Sequence, residues 1–449
     1  MGEPAASSTT ASSWLQSLRP SIEEILSVSG AAGASVGILD GRSGQTSFAG
    51  YGYRDVAAGL APDEHTVYHI ASLSKSFTAS AVALLVADGK LSFDDRMRDI
   101  LPGFRHADKA VDSQSTLLDF LSHRTGLASK NALWQQDGHE LLLEAKDTLP
   151  MVTYLDTVQP LGKRWTYNNF GYDVLANVIT HASGSSWADF LSTRIFEPLG
   201  MRETNTALRP PTENWAHGYM PGLDGELTDV GRPFIASGTV QQAANAVKST
   251  ASDLLIHYKA VLDAWHAEMN NATSDSEKII SPVLKNVKEL LTPHVPIDPE
   301  ADNQWYGAGW AMADLPAPLG SIGTNGMFVD PMPLVGRGCT EAKRKGPKVW
   351  YHNGSLVGFF SSVHVLPETG TVVVVLVNSS PKNDAADWIG QLLVERALDC
   401  AEKNDYVALA RESAAAYDAM WAQLPKDMQE AREPRGGDAA AAGICGAVL

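Results

Sequence analysis

The chain follows two hydrophobic rhythms. Near its ends, short apolar runs bounded by glycine or proline predict strands at 34–39, 307–313, 348–352, 359–366 and 371–378, with 44–51 as the hairpin partner of the first. Residues 372–377 read Val-Val-Val-Val-Leu-Val, a continuous run of the kind buried on both faces of a central strand. Elsewhere the period is helical, at 14–26, 74–88, 117–122, 172–182, 187–196, 251–267, 283–291, 385–398 and 406–424. In 74–88, Phe77, Ala81, Leu84 and Leu85 form one apolar stripe, and Gly89 supplies the stop. Residues 100–300 carry little strand signal, and their helices are separated by Gly and Pro clusters such as 220–225.

Strands at both ends with helices between them predict an α/β (α+β) fold. The sheet is antiparallel, since the late strands are joined by short turns such as Pro367-Glu-Thr-Gly370. Helices flank it, and a mostly helical domain is inserted. The expected divisions are a mobile tail at 1–13, a discontinuous α/β domain of 14–100 plus 301–405, the inserted helical domain at 101–300, and a C-terminal helix and flexible tail at 406–449. Residues 314–347 form a long Pro/Gly-rich stretch, and loops of that length are uncommon unless functional or mobile.

Charge narrows the partners. A formal net charge of −17 speaks against nucleic acid, because phosphate binding needs clustered Lys and Arg. No apolar run reaches the roughly 18 residues of a membrane span. The N-terminus, Met-Gly-Glu-Pro-Ala-Ala-Ser-Ser, lacks a basic region followed by an apolar core, so no secretory signal is expected. Cys339, Cys400 and Cys445 are widely spaced and odd in number, with no CxxC pair. Free thiols in a reducing, cytoplasmic setting are therefore expected. On the same grounds the acceptor patterns Asn271-Ala-Thr273 and Asn378-Ser-Ser380 are chance matches.

Three segments carry candidate chemistry. Ser72-Leu-Ser-Lys75 opens the 74–88 helix, where residues i and i+3 share a face, so the hydroxyl and the amine can meet. A serine nucleophile needs a base, and lysine is one when burial or a nearby cation lowers its pKa. The pattern alone is weak, because Ser379-Ser-Pro-Lys382 repeats it after a strand with no apolar helical stripe. Tyr167-Asn-Asn169 lies in a loop feeding a helix. It reads either as a proton carrier with an orienting amide, or as a packed Tyr and an Asn that caps the helix. Tyr351-x-Asn353 has the same spacing. His352-Asn353-Gly354-Ser355 lies at a strand end. Either Gly354 admits a substrate to the backbone, with the N–H groups of Ser72 and Ser355 as two oxyanion donors, or it marks a bulge.

In this order the three segments resemble the serine β-lactamase and penicillin-binding protein superfamily, which carries Ser-x-x-Lys, Tyr-x-Asn and Lys/His-x-Gly. Further similar segments are 68–78, 117–127 ending in Ser-His-Arg-Thr-Gly-Leu, 216–219, 249–254, 306–310 and 358–378, so the resemblance covers roughly 30–400. The nearest branch is that of class C β-lactamase-like esterases, D-amino-acid peptidases and transesterases. The resemblance implies an acyl-enzyme on Ser72, activation by Lys75 and Tyr167, assistance from Asn169, and an oxyanion held by Ser72 and Ser355 N–H groups. His352, Asn353, Gly354 and Trp310 complete the expected substrate-binding set. His352-Asn353 stands where β-lactamases and transpeptidases carry Lys-Thr to read the substrate carboxylate, and a histidine is mostly neutral near pH 7.

The expectation is a hydrolase acting on a small-molecule ester, thioester or amide. One rival is an acyltransferase of small-molecule biosynthesis that passes the acyl group to an alcohol or amine, with the 314–347 loop, Phe234, Trp310 and Phe359 as an apolar acceptor wall. The other is a non-catalytic binding protein on the same fold. There is no Gly-x-Ser-x-Gly elbow, no His-Glu-x-x-His helix and no phosphate-binding Gly-x-x-x-x-Gly-Lys loop, so neither metal nor cofactor is expected.

Overall fold

The computed structural model describes residues 11–131, 141, 143–209, 212–222, 224–270, 283–339 and 346–432. In chain order its principal strands are β1 (Gly33–Asp40), β2 (Gln45–Gly52), β3 (Tyr68–His69), β4 (Lys248–Ser249), β5 (Val295–Pro296), β6 (Gln304–Tyr306), β7 (Ala311–Asp314), β8 (Lys348–Leu356), β9 (Phe359–Leu366) and β10 (Thr371–Val377). The principal helices are α1 (Ala11–Ser29), α2 (Ser74–Ala87), α3 (Leu117–Leu121), α4 (Asn169–Ser183), α5 (Gln242–Asn245), α6 (Ala251–Asn270), α7 (Ala385–Leu398) and α8 (Tyr406–Arg432). Strands β3 and β4 pair with each other. The rest form one antiparallel sheet in the order β2-β1-β10-β9-β8-β7-β6-β5. This is the expected fold class, an antiparallel sheet flanked by helices.

Strand β10 shows why the sheet sits in the middle. Its β-branched side chains favour the extended backbone and alternate between faces. Val372, Val374 and Leu376 join the apolar cluster that contains α2, α4 and α6. Val373, Val375 and Val377 join the cluster built on α1, α7 and the start of α8. Both faces are therefore covered, as the unbroken apolar run implies.

Several elements differ from the sequence expectation. Helix α2 is buried at every position from Ser74 to Leu85, so it is a central helix rather than one with a single apolar stripe. Its small Ala and Ser residues let neighbouring elements pack on all sides. Residues 307–310 are not strand: Gly307 N–H bonds Trp310 O across a tight turn with Gly309 at φ +81°, between β6 and β7. Within 283–291 only Val287–Leu290 is helical. The Gly/Pro cluster at 220–225 lies in a hairpin, with Gly218–Pro221 paired to Leu227–Gly231. Helix α8 runs on through Pro425 to Arg432.

The cysteine expectation is corrected. Cys339 and Cys400, 61 residues apart, form a disulfide. The segment after β7 folds back along α7: Asn325 bonds Asp384 and Asp387, and Gln391 bonds Leu319 O. Cys339 thereby arrives beside the residue that follows α7. Sequence spacing alone does not encode that return. Closing a loop of this length constrains the unfolded chain by about 4 kcal/mol in the chain-entropy view. Reduction, or Cys339→Ala, is expected to lower unfolding free energy by roughly 2–4 kcal/mol in urea melts. The same packing places the 314–339 part of the long loop in the apolar cluster of α7.

Asn378 is fully buried and donates to the carbonyls of Tyr53, Arg54 and His217, so it is a structural amide. Asn271-Ala-Thr273, Cys445, most of the 1–13 tail and residues 433–449 lie outside the described residues. Among the described residues no helix is long and apolar enough to cross a membrane.

Candidate active site

Ser72 lies in a 3₁₀ turn, Ala71–Leu73, that runs directly from β3 into α2. The chain turns at Ala71, whose φ of 48° is in the left-handed region that a non-glycine residue reaches only under constraint. Strand β8 supplies the constraint. At Gly354 a Cβ would fall 2.5 Å from Ile70 O and 3.2 Å from the Ala71 Cβ, and would overlap Ser361 Oγ. Only glycine lets β8 lie this close to the turn that carries Ser72. Gly354 therefore sets the distance between the strand and the serine.

Lys75 stands one turn along α2, fully buried. Its Nζ is 3.0 Å from Ser72 Oγ, 2.7 Å from Asn169 Oδ1 and 3.3 Å from Ala244 O. No carboxylate touches it among the described residues. Burial holds its pKa well below the usual lysine value, and the nearby Asp173 charge opposes this only partly. Asn169 Oδ1 and Ala244 O can only accept. In the neutral amine they take its two protons, and the lone pair is left facing Ser72 Oγ.

Tyr167 is partly exposed, and its ring lies 4.8 Å from Lys75 Nζ. Burial pushes its phenol up, while the Ser72 hydroxyl as hydrogen-bond partner pulls the other way. The phenol keeps its proton at neutral pH. Asn169 is the first residue of α4, not its cap. Asn168 is the cap, accepting from Gly171 N–H and donating to Leu127 and Ala128 carbonyls. The Asn169 side chain is thus free to hold Lys75 through Oδ1, and its Nδ2 donates to Asn131.

His352 is buried beside this group. Its Nδ1 donates to Asn353 O at 2.7 Å, and its Nε2 accepts from Tyr306 OH at 3.0 Å. Burial, aided by the Lys75 charge, lowers its pKa to about 3, so it is neutral. His123, from the Ser-His-Arg-Thr-Gly segment, packs 4.3 Å from the Tyr167 ring and is neutral for the same reasons.

The strand's two-residue period separates the remaining candidates. His352 and Gly354 face the serine, whereas the side chains of Asn353 and Ser355 belong to the opposite face. Asn353 Nδ2 donates to Asp384 and Asp387 at the start of α7. Ser355 is exposed. Strand β7 pairs with β8 only from Lys348 to Tyr351, which leaves that edge of β8 unpaired beyond Tyr351. Trp310 is not at the site. It is buried in the core, edge-on to Tyr258 on α6 with ring centroids 5.5 Å apart. Phe359 is buried as well. Phe234 reaches open space, as do Met327 and Leu334 of the long loop at the surface, and it lines cavities of about 750 and 460 Å³. The 314–339 segment lies on the far side of the sheet.

Asp387 accepts from three buried amides, those of Asn325, Asn353 and Gln391. Asp387→Ala would leave all three without that acceptor. A loss of on the order of 3 kcal/mol in urea unfolding is expected.

Two residues at the centre carry no motif. Asn245, at the end of α5, accepts from Ser72 Oγ at 3.2 Å. Asp173 is buried below, accepting from the backbone of Gln241 and of Ala243, and burial raises its pKa to about 7. Among the described residues no group of three or more His, Cys, Asp or Glu side chains is placed to hold a metal ion.

The β-lactamase family profile matches residues 22–396. The chain belongs to the β-lactamase family. Penicillin-binding protein 4* of Bacillus subtilis is 29% identical over 283 residues, 59% of this chain and 56% of that one. The unguisins hydrolase of Aspergillus campestris is 24% identical over 381 residues, 82% of this chain and 62% of that one. The chain thus spans little more than half the length of these two relatives. The octameric penicillin-binding protein homologue of Pyrococcus abyssi superposes with a TM-score of 0.67 at 24% identity, covering 86% of this chain and 78% of that one. A D-stereospecific amidohydrolase from Streptomyces gives 0.62 at 20% identity, with 86% and 99% covered. These two structures share the family's fold.

Proposed function

We propose that this member of the β-lactamase family is a serine acyl-transfer enzyme, and that it hydrolyses a small-molecule ester or amide. One observation carries the reading: a buried amine, 3.0 Å from Ser72 Oγ, has acceptor-only partners for its other protons. In the acylation step Lys75 takes the Ser72 proton as Oγ bonds the acyl carbon, and the carbonyl electron pair moves to oxygen. The N–H groups of Ser72 and Ser355 receive that oxyanion. Tyr167, still protonated, donates to the leaving group as the acyl bond breaks. Water then attacks the acyl-enzyme, which releases the acid and returns the protons.

The substrate class follows from β8. With a neutral His352 and an Asn353 side chain turned to α7, the strand offers no cation to a β-lactam carboxylate. Esters or amides without that carboxylate fit better. One relative is named a hydrolase of unguisins, which supports hydrolysis over transfer. Incubation with a p-nitrophenyl ester is expected to release free acid at the same rate with or without an added alcohol, and benzylpenicillin is expected to acylate at least tenfold more slowly. Suppression of free acid by the alcohol, with ester product formed, would instead mark an acyltransferase. Faster acylation by benzylpenicillin would overturn the substrate reading.

A further inference from the structure

Asn245 belongs to none of the three motif segments, yet it touches the reacting atom. Its Oδ1 accepts from Ser72 Oγ at 3.2 Å, and its Nδ2 donates to Gln241 Oε1 at 3.3 Å. In this arrangement the amide oxygen faces the serine and the amide nitrogen faces Gln241. The residue is 2% exposed and held rigidly. Gln241 has φ 67°, and the Asp173 carboxylate accepts from the N–H groups of Gln241 and Ala243. Thr78 donates to Ala243 O, and Val247 N–H donates to Ser74 Oγ. Helix α5 is therefore tied to both α2 and α4, and the neighbouring Ala244 O is itself a Lys75 partner.

Ser72 has one proton and three groups that can accept it: the Lys75 amine when neutral, Asn245 Oδ1, and the phenol oxygen of Tyr167, which is itself needed as a donor. When Lys75 is charged, its three protons go to Ser72 Oγ, Asn169 Oδ1 and Ala244 O. The Ser72 proton must then point elsewhere, and Asn245 Oδ1 is there to take it. When Lys75 is neutral, its lone pair takes the hydroxyl proton in place of the amide.

We propose that Asn245 is a catalytic residue that holds the Ser72 proton while Lys75 is charged, and so sets the pH at which the serine becomes a nucleophile. This rests on the reading of Ser72 and Lys75 given above. The other groups facing Lys75 are Asp173 and Tyr172 from α4, Tyr167 from the preceding loop, His123 after α3 and His352 from β8. Both histidines are neutral and both phenols protonated, which leaves Asp173 as the titratable neighbour.

The substitutions separate this role from a merely structural one. Asn245→Asp places a carboxylate beside the ammonium and stabilises the charged amine. The acid limb of kcat/KM for a p-nitrophenyl ester is expected to move up by about one pH unit or more, with most activity regained at alkaline pH. Asn245→Ala removes the acceptor that only the charged state uses. The limb is expected to move down, by less than a unit. A structural role would lower the rate at all pH values and leave the limb in place. Circular dichroism and melting temperature identify a misfolded variant, and the alanine variant buries no new charge. Opposite shifts support the proposal. Limbs that stay at the wild-type position in a folded variant overturn it, while failure of the ester to acylate the wild-type protein overturns the Ser72 reading itself.

Discussion

Ser72→Ala is expected to lower kcat/KM toward the preferred ester by on the order of 10⁴-fold or more, leaving only the acceleration that oriented binding provides. Fold stability should change little. Ser72 Oγ has polar partners in Lys75, Asn245 and Tyr167, but Lys75 retains Asn169 Oδ1 and Ala244 O when it is removed, Asn245 retains Gln241, and Tyr167 is partly exposed. A melting temperature within a few degrees of wild type, combined with the loss of turnover, separates a lost nucleophile from a lost fold. A stable Ser72→Ala protein with undiminished turnover would remove the serine from the chemistry.

Lys75→Arg is expected to cost on the order of 10³-fold and to change the shape of the pH profile. In the proposed mechanism, activity requires the neutral amine. In the wild-type enzyme kcat/KM therefore rises with pH through the Lys75 pKa, which burial holds well below the ordinary lysine value. The sign follows from the group: below that pKa the amine is charged and cannot accept the Ser72 proton, and above it the lone pair is available. A guanidinium stays protonated at all accessible pH values, so the arginine variant should show neither the limb nor alkaline recovery. A profile of unchanged shape in Lys75→Arg would assign the limb, and the base, to another group.

Much of this was legible in the residues. The apolar run of β10 is a central strand, and α7 and β9 occupy the segments their periodicity predicts, because burial on one face or two leaves a direct imprint on sequence. The three segments that resemble the β-lactamase family meet around one hydroxyl. What the sequence hid depends on contacts between distant parts of the chain. Asn245 is 173 residues from Ser72, and a lone amide has no spacing rule to betray it. The Cys339–Cys400 bond depends on how the segment after β7 returns along α7. The resemblance implies a substrate-binding role for Trp310, but the turn at Gly307–Trp310 buries it against Tyr258.

Strand alternation puts His352 and Gly354 on one face and Asn353 and Ser355 on the other, so the four do not act as one cluster. Gly354 sets the fit against the serine turn, and Asn353 ties the strand to the acidic start of α7. The departure at His352 also gains a physical meaning. The ring is neutral not only because histidine titrates near 6.5 but because burial lowers it to about 3.

Mass spectrometry of the intact protein after brief exposure to a p-nitrophenyl ester, followed by peptide mapping, tests the Ser72 chemistry most directly. The expected result is a single acyl adduct on the peptide containing Ser72, formed faster as pH rises, and absent from Ser72→Ala. An adduct on another residue, or one that persists in Ser72→Ala, would contradict it.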